Sequence, residues 1–461
     1  MLTKEKIKEL KTEDNGTIAK LVQEHRNSNS YVLNILEHLG HLPANFDGSW
    51  LPELLESKSS EVRFWTVKNL GKLTDDEFLK VLKKVAQTDP DTNVRREAVS
   101  SIGRMRNPKT RNILVEILQD SDPKVVCQAV RGLLVFKGDE KIDSCLRPLV
   151  NHENEMVRTV IYKEYFAKEK QKTTNQPHAE TYEYLENVVV HGDVREVLRN
   201  VPDESIHLTF TSPPYYNARD YSIYPSYQAY LEFLEEVFKA VHRTTKEGRF
   251  LIVNTSPIII PRISRQHSSK RYPIPFDLHP YLVKMGWEFI DDIVWVKPEA
   301  SVKNRNAGFL QHRKPLGYKP NAVTEYLMVY RKQTEKLLDW NIRQYDWKSV
   351  RESKVEDGYE TSNVWSIDPK FDKVHSAVFP VELCKRVVEY YSFKGDLVFD
   401  PFAGSGTLGR TAKSMGRNFF LTEVDQKYFD YMKTFLRKNT LFNEHATRFL
   451  SLTDFIHSIK Q

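Results

Sequence analysis

Four valines, Val62, Val94, Val125 and Val157, follow one another at steps of 32, 31 and 32 residues, and each heads a similar segment. The segments are EVRFWTVKNLGKL from Glu61, NVRREAVSSIGRM from Asn93, KVVCQAVRGLLVF from Lys124 and MVRTVIYKEYF from Met156. Within each, apolar residues return at helical spacing, as at Val94, Ala98, Val99 and Ile102. A unit of this length cannot bury its apolar stripe alone, so the recurrence predicts helix pairs stacked as a solenoid. The first fifty or so residues also read as helical and would cap the stack.

This pattern resembles HEAT-type repeats, in units shorter than usual, and predicts an α-helical HEAT-like domain over residues 1–167. Such a stack suits two roles, a rigid spacer or a concave surface for a partner or nucleic acid. His38 and His41 stand one helical turn apart with no third ligand nearby, so they read as part of a solvated face. Residues 168–183 are polar, carry one proline and lack apolar periodicity, which predicts a linker.

A chain of 461 residues is too long for one ordinary core. With 40% hydrophobic and 28% charged residues it reads as globular. No apolar run approaches the roughly 20 residues that span a bilayer. The opening MLTKEKIKELK has charges with no apolar core behind them, so no secretory signal is expected. Cys127, Cys145 and Cys384 form no CxxC pair. A disulfide framework or a zinc site is therefore not expected, and a reducing cytoplasm fits. The net charge of +6 is too small to identify a polyanionic partner by itself.

After the linker the pattern changes. NVVVHGD, IHLTFTSPP, RFLIVN, FIDDIVWVK, EYLMVYRK, DLVFDPF and NFFLTEV are short, β-rich apolar runs. Amphipathic helical stretches lie between several of them, among them 226–243 and 380–393. Alternation of this kind predicts an α/β domain over 184–461, with a mostly parallel sheet covered on both faces. Ligands bind such sheets beyond the C-terminal ends of the strands.

Two predicted strand ends are chemically unusual. In LVFDPFAGSGTLGRTAKSMGRNFFLTEVD, Asp400 closes a strand, Gly404 and Gly406 permit a tight turn, and a helix starts near Thr407. The next strand ends at Glu423, 17 residues beyond Gly406, where an acid can hold two ribose hydroxyls. No Gly-Lys-Ser/Thr follows the glycines, so this is not a phosphate-cradling Walker loop. In TFTSPPYYNAR, residues 209–219, a strand runs straight into Ser212, Pro213, Pro214 and Tyr215. The prolines end the ladder and stiffen the loop behind it.

Asp-Pro-Phe-x-Gly-x-Gly with a later strand-terminal acid, together with Ser-Pro-Pro-Tyr, resembles the DNA amino-methyltransferases over residues 184–435. The catalytic motif precedes the cofactor loop, as in the family's beta arrangement. The resemblance implies a Rossmann-like methyltransferase sheet in circularly permuted order, with S-adenosyl-L-methionine as cofactor and no metal. The chain would enter the sheet at its third strand, NVVVHGD, and supply the first two strands last. WEFIDDIVWVKP and TEYLMVYRK match the later strands. Carried over residue by residue, the catalytic loop is Ser212, Pro213, Pro214 and Tyr215. The cofactor would be held by Asp400, Pro401, Phe402, Ala403, Gly404, Ser405, Gly406, Thr407 and Glu423. Asp193 matches the acid that contacts the adenine amino group. HSAVFPVELCKRVVEYYS, with His375 and Ser376, matches the segment at the methionine end of the cofactor; many relatives have proline where this chain has Ser376.

The chemistry fits these residue types. An exocyclic amine on a nucleobase is a poor nucleophile because its lone pair is delocalised into the ring. Two acceptors against its hydrogens, the Ser212 hydroxyl and the Pro213 carbonyl, would draw the nitrogen toward tetrahedral geometry in a preorganised loop. Tyr215 could stack on the base and face the transient positive charge. A base inside a duplex cannot reach such a site, so base flipping is implied. The 5-methylcytosine route needs a cysteine nucleophile in a loop, and Cys384 falls in a predicted helix. In the family a serine in the first motif position usually accompanies cytosine, which favours N4-methylcytosine over the alternative, N6-methyladenine.

Two segments concentrate positive charge. Residues 262–275 hold Arg262, Arg265, Lys270 and Arg271 with no acid, and residues 299–323 hold Lys303, Arg305, Arg313, Lys314 and Lys319 against Glu299. Interleaved amides and aromatics such as Gln311 and Tyr318 make both candidates for double-stranded DNA contact. Residues 345–365 are a further recognition candidate of mixed charge. The expectation is a site-specific DNA methyltransferase, the protective half of a restriction system, whose cleavage would fall to a separate endonuclease. A reading of another class is a HEAT-repeat nucleic-acid-binding scaffold with an inactive methyltransferase domain; the intact motifs argue against it.

Overall fold

Each of the four repeat segments forms a helix that begins at a side-chain cap: α1 (Ser60–Leu73), α2 (Thr92–Arg104), α3 (Pro123–Leu133) and α4 (Glu155–Ile161). Ser59, Asp91, Asp122 and Asn154 accept hydrogen bonds from first-turn amides of these helices. Each cap satisfies a donor the helix cannot, worth about 1 kcal/mol. The four recurring valines are buried. In this computed structural model the chain divides into two units, Met1–Thr174 and Asn175–Gln461. The structure describes residues 2–13, 16–43, 46–166, 182–216, 224–260, 266, 269–302, 315, 321–370, 378–436 and 446–459.

The helical unit has one core, which also takes in Ile7, Val22, Ile35 and Leu36 from the first three helices of the chain. A feature absent from the sequence reading is a set of two ion pairs, one buried and one half-buried, that repeat with the helices. The Arg63 guanidinium donates two hydrogen bonds to Asp89, at 2.7 and 2.9 Å, and Arg95 does the same to Asp120 at 3.1 and 3.2 Å. The helix Asn29–His38 ends before His41, so His38 and His41 do not share a helix face. Most of the expected linker lies outside the described residues.

The second unit is built on a nine-stranded sheet. Its strands are β1 (Val188–His191), β2 (Ile206–Thr211), β3 (Thr245–Thr255), β6 (Trp287–Val296), β7 (Thr324–Lys332), β8 (Val364–Ser366), β9 (Leu397–Asp400), β10 (Asn418–Glu423) and β11 (Arg448–Ser451). A separate antiparallel hairpin joins β4 (Ile258–Ile260) to β5 (Lys270–Tyr272). The sheet order is β11-β1-β10-β9-β2-β3-β7-β6-β8. Every pairing is parallel except those of β7 with β3 and β6. The last part of the chain, β9 and β10, therefore fills the centre beside β1 and β2, which gives the permuted order that the resemblance implied.

The central strands are buried on both faces and their side chains alternate between two cores. Val188, Val190, Leu251 and Val253 point one way, and Val189, Leu208, Phe210 and Ile252 the other. The first face is covered by α5 (Val194–Leu198), α6 (Tyr227–Thr244) and α7 (Ile274–Lys284). The second is covered by α8 (Val381–Tyr391), α9 (Thr407–Ser414) and α10 (Gln426–Leu436). The helix α11 (Leu452–Ile459) returns Phe455 to the first face. The described end of the expected basic segment 262–275 is regular structure. Lys270 and Arg271 belong to β5, and α7 starts at Ile274 with Pro275 in its first turn, where proline's missing N–H costs nothing. Within 345–365, Trp347–Glu352 is helical and β8 forms the edge of the sheet with Trp365 buried, so only part of that segment is a surface loop.

Candidate active site

The C-terminal ends of β1, β10, β9 and β2 open onto one cavity of about 520 Å³. Asp193, Ser212, Tyr215, Asp400, Gly404 and Glu423 all line it. The two motifs, almost 190 residues apart in sequence, are joined directly. Thr211, the last residue of β2, donates its hydroxyl proton to Asp400 Oδ1 at 2.7 Å, and the Phe402 amide donates to the same oxygen at 3.0 Å. Asp400 is buried at the end of β9. Burial pushes its carboxyl up to about 7; the bonds from Thr211 and Phe402 oppose the rise and the nearby Glu423 adds to it.

The glycine loop turns back on β10. Gly404 and Gly406 have φ of +52° and +69°, in the left-handed region that favours glycine. The Gly404 amide donates to Glu423 Oε2 and the Asp425 amide to Glu423 Oε1, both at 2.8 Å. Glu423 thus fixes the loop while leaving further lone pairs toward the cavity. Burial raises its carboxyl as well, against the amide bonds it accepts. Ser405 and Thr407 face each other at 3.0 Å, and the carbonyl of Pro401 accepts from Thr422. Asp193 caps α5 by accepting from the Arg195 amide at 2.8 Å and pairs with the Arg195 guanidinium at 2.8 Å. Burial works against ionising Asp193, but the bonds from Arg195 outweigh it and hold the carboxyl below its ordinary range.

In the Ser-Pro-Pro-Tyr loop Pro213 is buried, and Ser212, Pro214 and Tyr215 are half-buried. The Tyr215 ring lines the cavity while its hydroxyl reaches inward and donates to Glu325 Oε2 at 3.3 Å. Burial and the Glu325 charge push that hydroxyl well up, against hydrogen bonds with Ser212 and Ser256, so it remains a donor. Glu325 also pairs with Lys297. Sequence reasoning missed Thr211, Lys297 and Glu325. Lys297 and Glu325 meet because β6 pairs with β7, with Trp295 opposite Glu325, and no local motif announces that register. Phe379, just before α8, stacks on Phe210 at 4.6 Å and lines the cavity next to Val378.

His375 and Ser376 lie outside the described residues, as do Arg262, Arg265, Lys303, Arg305, Arg313, Lys314 and Lys319. Lys270 and Arg271 are exposed on β5 and are not among the cavity-lining residues; Tyr272 beside them packs on Tyr216 with ring centres 5.0 Å apart, and the Lys270 ammonium lies 4.8 Å from the centre of the Tyr272 ring. Cys384 is buried in α8 and burial pushes its thiol well up, so it is no nucleophile. Among the described residues no group of three or more His, Cys, Asp or Glu could hold a metal, and no helix is long and apolar enough to cross a membrane.

The donor set fits S-adenosylmethionine. Acidic oxygens stand at three strand ends, for hydroxyl and amino donors, and a glycine turn allows close backbone approach between them. A model of the DNA methylase family matches residues 206–434, and HEAT-repeat models match 48–103 and 80–164. The Type II methyltransferase M.Cfr9I of Citrobacter freundii is 30% identical over 272 residues, covering 52% of this chain and 84% of that protein. The Type II beta methyltransferase M.BslI of Bacillus sp. (strain NEB-606) is 29% identical over 227 residues, covering 48% of this chain; the match spans only 24% of that longer protein. Among solved structures, TTHA0409 of Thermus thermophilus in complex with S-adenosyl-L-methionine is 26% identical, with 57% of this chain and 97% of that one covered and a TM-score of 0.47.

Proposed function

The chain belongs to the N6/N4 DNA methylase family, and from that premise we propose that it methylates the exocyclic N4 amine of cytosine at specific sites in double-stranded DNA. The observation that carries the proposal is the hydrogen bond from Thr211 to Asp400, which ties the Ser-Pro-Pro-Tyr loop and the glycine loop to the rim of one cavity. When bound, S-adenosylmethionine supplies an electrophilic methyl group on a sulfonium sulfur.

The chain's own residues do the rest. Glu423 accepts the ribose hydroxyls on lone pairs not used by the Gly404 and Asp425 amides. Asp193, kept ionised by Arg195, accepts from the adenine amino group. Phe402 and the loop from Ala403 to Thr407, which line the cavity, would hold the cofactor. The Ser212 hydroxyl and the Pro213 carbonyl accept the two amine hydrogens of the flipped base and free the nitrogen lone pair. The Tyr215 ring, held by its bond to Glu325, faces the positive charge that develops on that nitrogen. Methyl transfer breaks the carbon–sulfur bond and leaves a neutral thioether; the alkylated amine then gives its proton to water, so no strong base has to act first. Lys270 and Arg271 on the β4–β5 hairpin neutralise phosphates. Modification of this kind protects DNA from a separate restriction endonuclease in the cytoplasm.

The test is nucleoside mass spectrometry of DNA incubated with the full chain and isotope-labelled S-adenosylmethionine. Label in N4-methylcytosine is the expected result. Label in N6-methyladenine overturns the choice of base, and unlabelled DNA overturns the enzymatic reading in favour of a binding scaffold.

A further inference from the structure

The helical unit has a groove of its own, of about 960 Å³, that the catalytic chemistry does not use. It forms where the C-terminal halves of α1, α2 and α3 come unusually close. Gly71, Gly103 and Gly132 recur there at steps of 32 and 29 residues. A Cβ on Gly71 would lie 2.2 Å from Ser101 Oγ, and one on Gly103 would lie 3.0 Å from the Gly132 Cα. The small residues let the helices approach, and long side chains on neighbouring turns then fan into one trough. Those side chains are Lys68, Lys72, Arg104, Arg106 and Arg131; among the described residues no carboxylate lines the groove.

Cations at helix C-termini complement the helix dipole, and that accounts for roughly one per helix. It does not account for five around a single trough. Arg104 is matched by Glu97 at 2.9 Å, just outside the lining. Lys72 donates to the Gly40 carbonyl and to Asn69, each at 2.8 Å, which satisfies its protons without neutralising its charge. Burial lowers its ammonium, and repulsion from Lys68, Lys11 and Arg104 lowers it further. Lys68 is held 4.3 Å above the Trp65 ring, and Arg106 and Arg131 are exposed. Glu97 offsets one of the five charges, so the groove keeps a net positive field with neutral donors, Ser100 and Gln128, between the charges.

We propose that this groove binds the sugar–phosphate backbone of DNA, as a second contact surface separate from the methylation site. A run of like charge with few base-reading amides suits phosphates, which position a duplex without reading its sequence. The choice of DNA over an acidic protein rests on the function proposed above, since the chain belongs to a family of DNA methylases. The helical unit therefore adds affinity that is independent of sequence and sensitive to salt.

The test uses the full chain without cofactor, so its outcome does not depend on methyl transfer. Binding of a fluorescein-labelled duplex is followed by anisotropy across a salt series. The triple variant Lys68→Gln, Arg106→Gln, Arg131→Gln should bind at least tenfold more weakly, and its log K against log salt slope should be shallower by about 2 to 3, near 0.9 for each phosphate that is no longer neutralised. A control variant, Lys80→Gln, Lys84→Gln, Lys124→Gln, removes the same charge from exposed positions outside the groove and should keep the wild-type slope. Circular dichroism checks that both variants are folded. An unchanged slope in the groove variant, or an equal change in the control, overturns the proposal. So does groove-dependent binding of polyglutamate with DNA binding intact, which would assign the groove to an acidic protein.

Discussion

Replacing Asp400 by asparagine should stabilise the sheet unit at and above neutral pH and flatten its pH dependence. The wild-type carboxyl is 2% exposed, and burial pushes it up to about 7 from an ordinary 3.8. In the unfolded chain it titrates near the ordinary value. Between the two, the folded protein holds a proton that the unfolded chain has lost, so stability falls as pH rises through that window. Above it the full cost of an ionised buried carboxylate is present, about 4 kcal/mol for a rise of this size. Asparagine carries no charge and keeps an oxygen for the Thr211 hydroxyl and the Phe402 amide. The variant's advantage should therefore grow by roughly 3 kcal/mol between about pH 4.5 and pH 8. Hydrogen exchange of peptides from β9 and β10 in rising urea reads this unit apart from the helical one. If variant and wild type run parallel across that pH range, the desolvated carboxyl does not govern the unit's pH dependence and the reasoning fails.

Three further perturbations separate the parts of the molecule. Glu423→Ala removes the acceptor of two loop amides and of the proposed ribose hydroxyls, so calorimetry should show S-adenosylmethionine binding weakened by about 10–100-fold. Gly406→Ala puts a Cβ at φ +69° and 2.8 Å from Met432 Sδ, and should destabilise the sheet unit by about 1–3 kcal/mol in thermal unfolding. Asp89→Ala leaves the Arg63 guanidinium buried without its partner and should cost the helical unit about 3–5 kcal/mol, with the cofactor dissociation constant unchanged.

What the sequence made legible was local. The repeat valines, the strand runs and both motifs at strand ends depend on neighbours within a few residues, and each appears in the structure where its pattern placed it. Contacts between distant segments were not legible. Thr211 and Asp400 meet only because β2 lies beside β9, and Lys297 meets Glu325 only through the β6–β7 register. Short edge elements also escaped: β4, β5, β8 and β11 are three or four residues long, too few for alternation to register. The Arg63–Asp89 and Arg95–Asp120 pairs did leave a signal, an acid and an arginine recurring with the valines, which goes unread when only apolar periodicity is followed.

The central claim is that the Ser212 loop carries the chemistry while the glycine loop and Glu423 hold the methyl donor. The most direct measurement is single-turnover methylation by Ser212→Ala at saturating DNA and S-adenosylmethionine, with cofactor affinity measured in parallel. Losing one preorganised acceptor should slow transfer by about 100-fold or more and leave cofactor affinity unchanged. A wild-type rate in this variant would contradict the account.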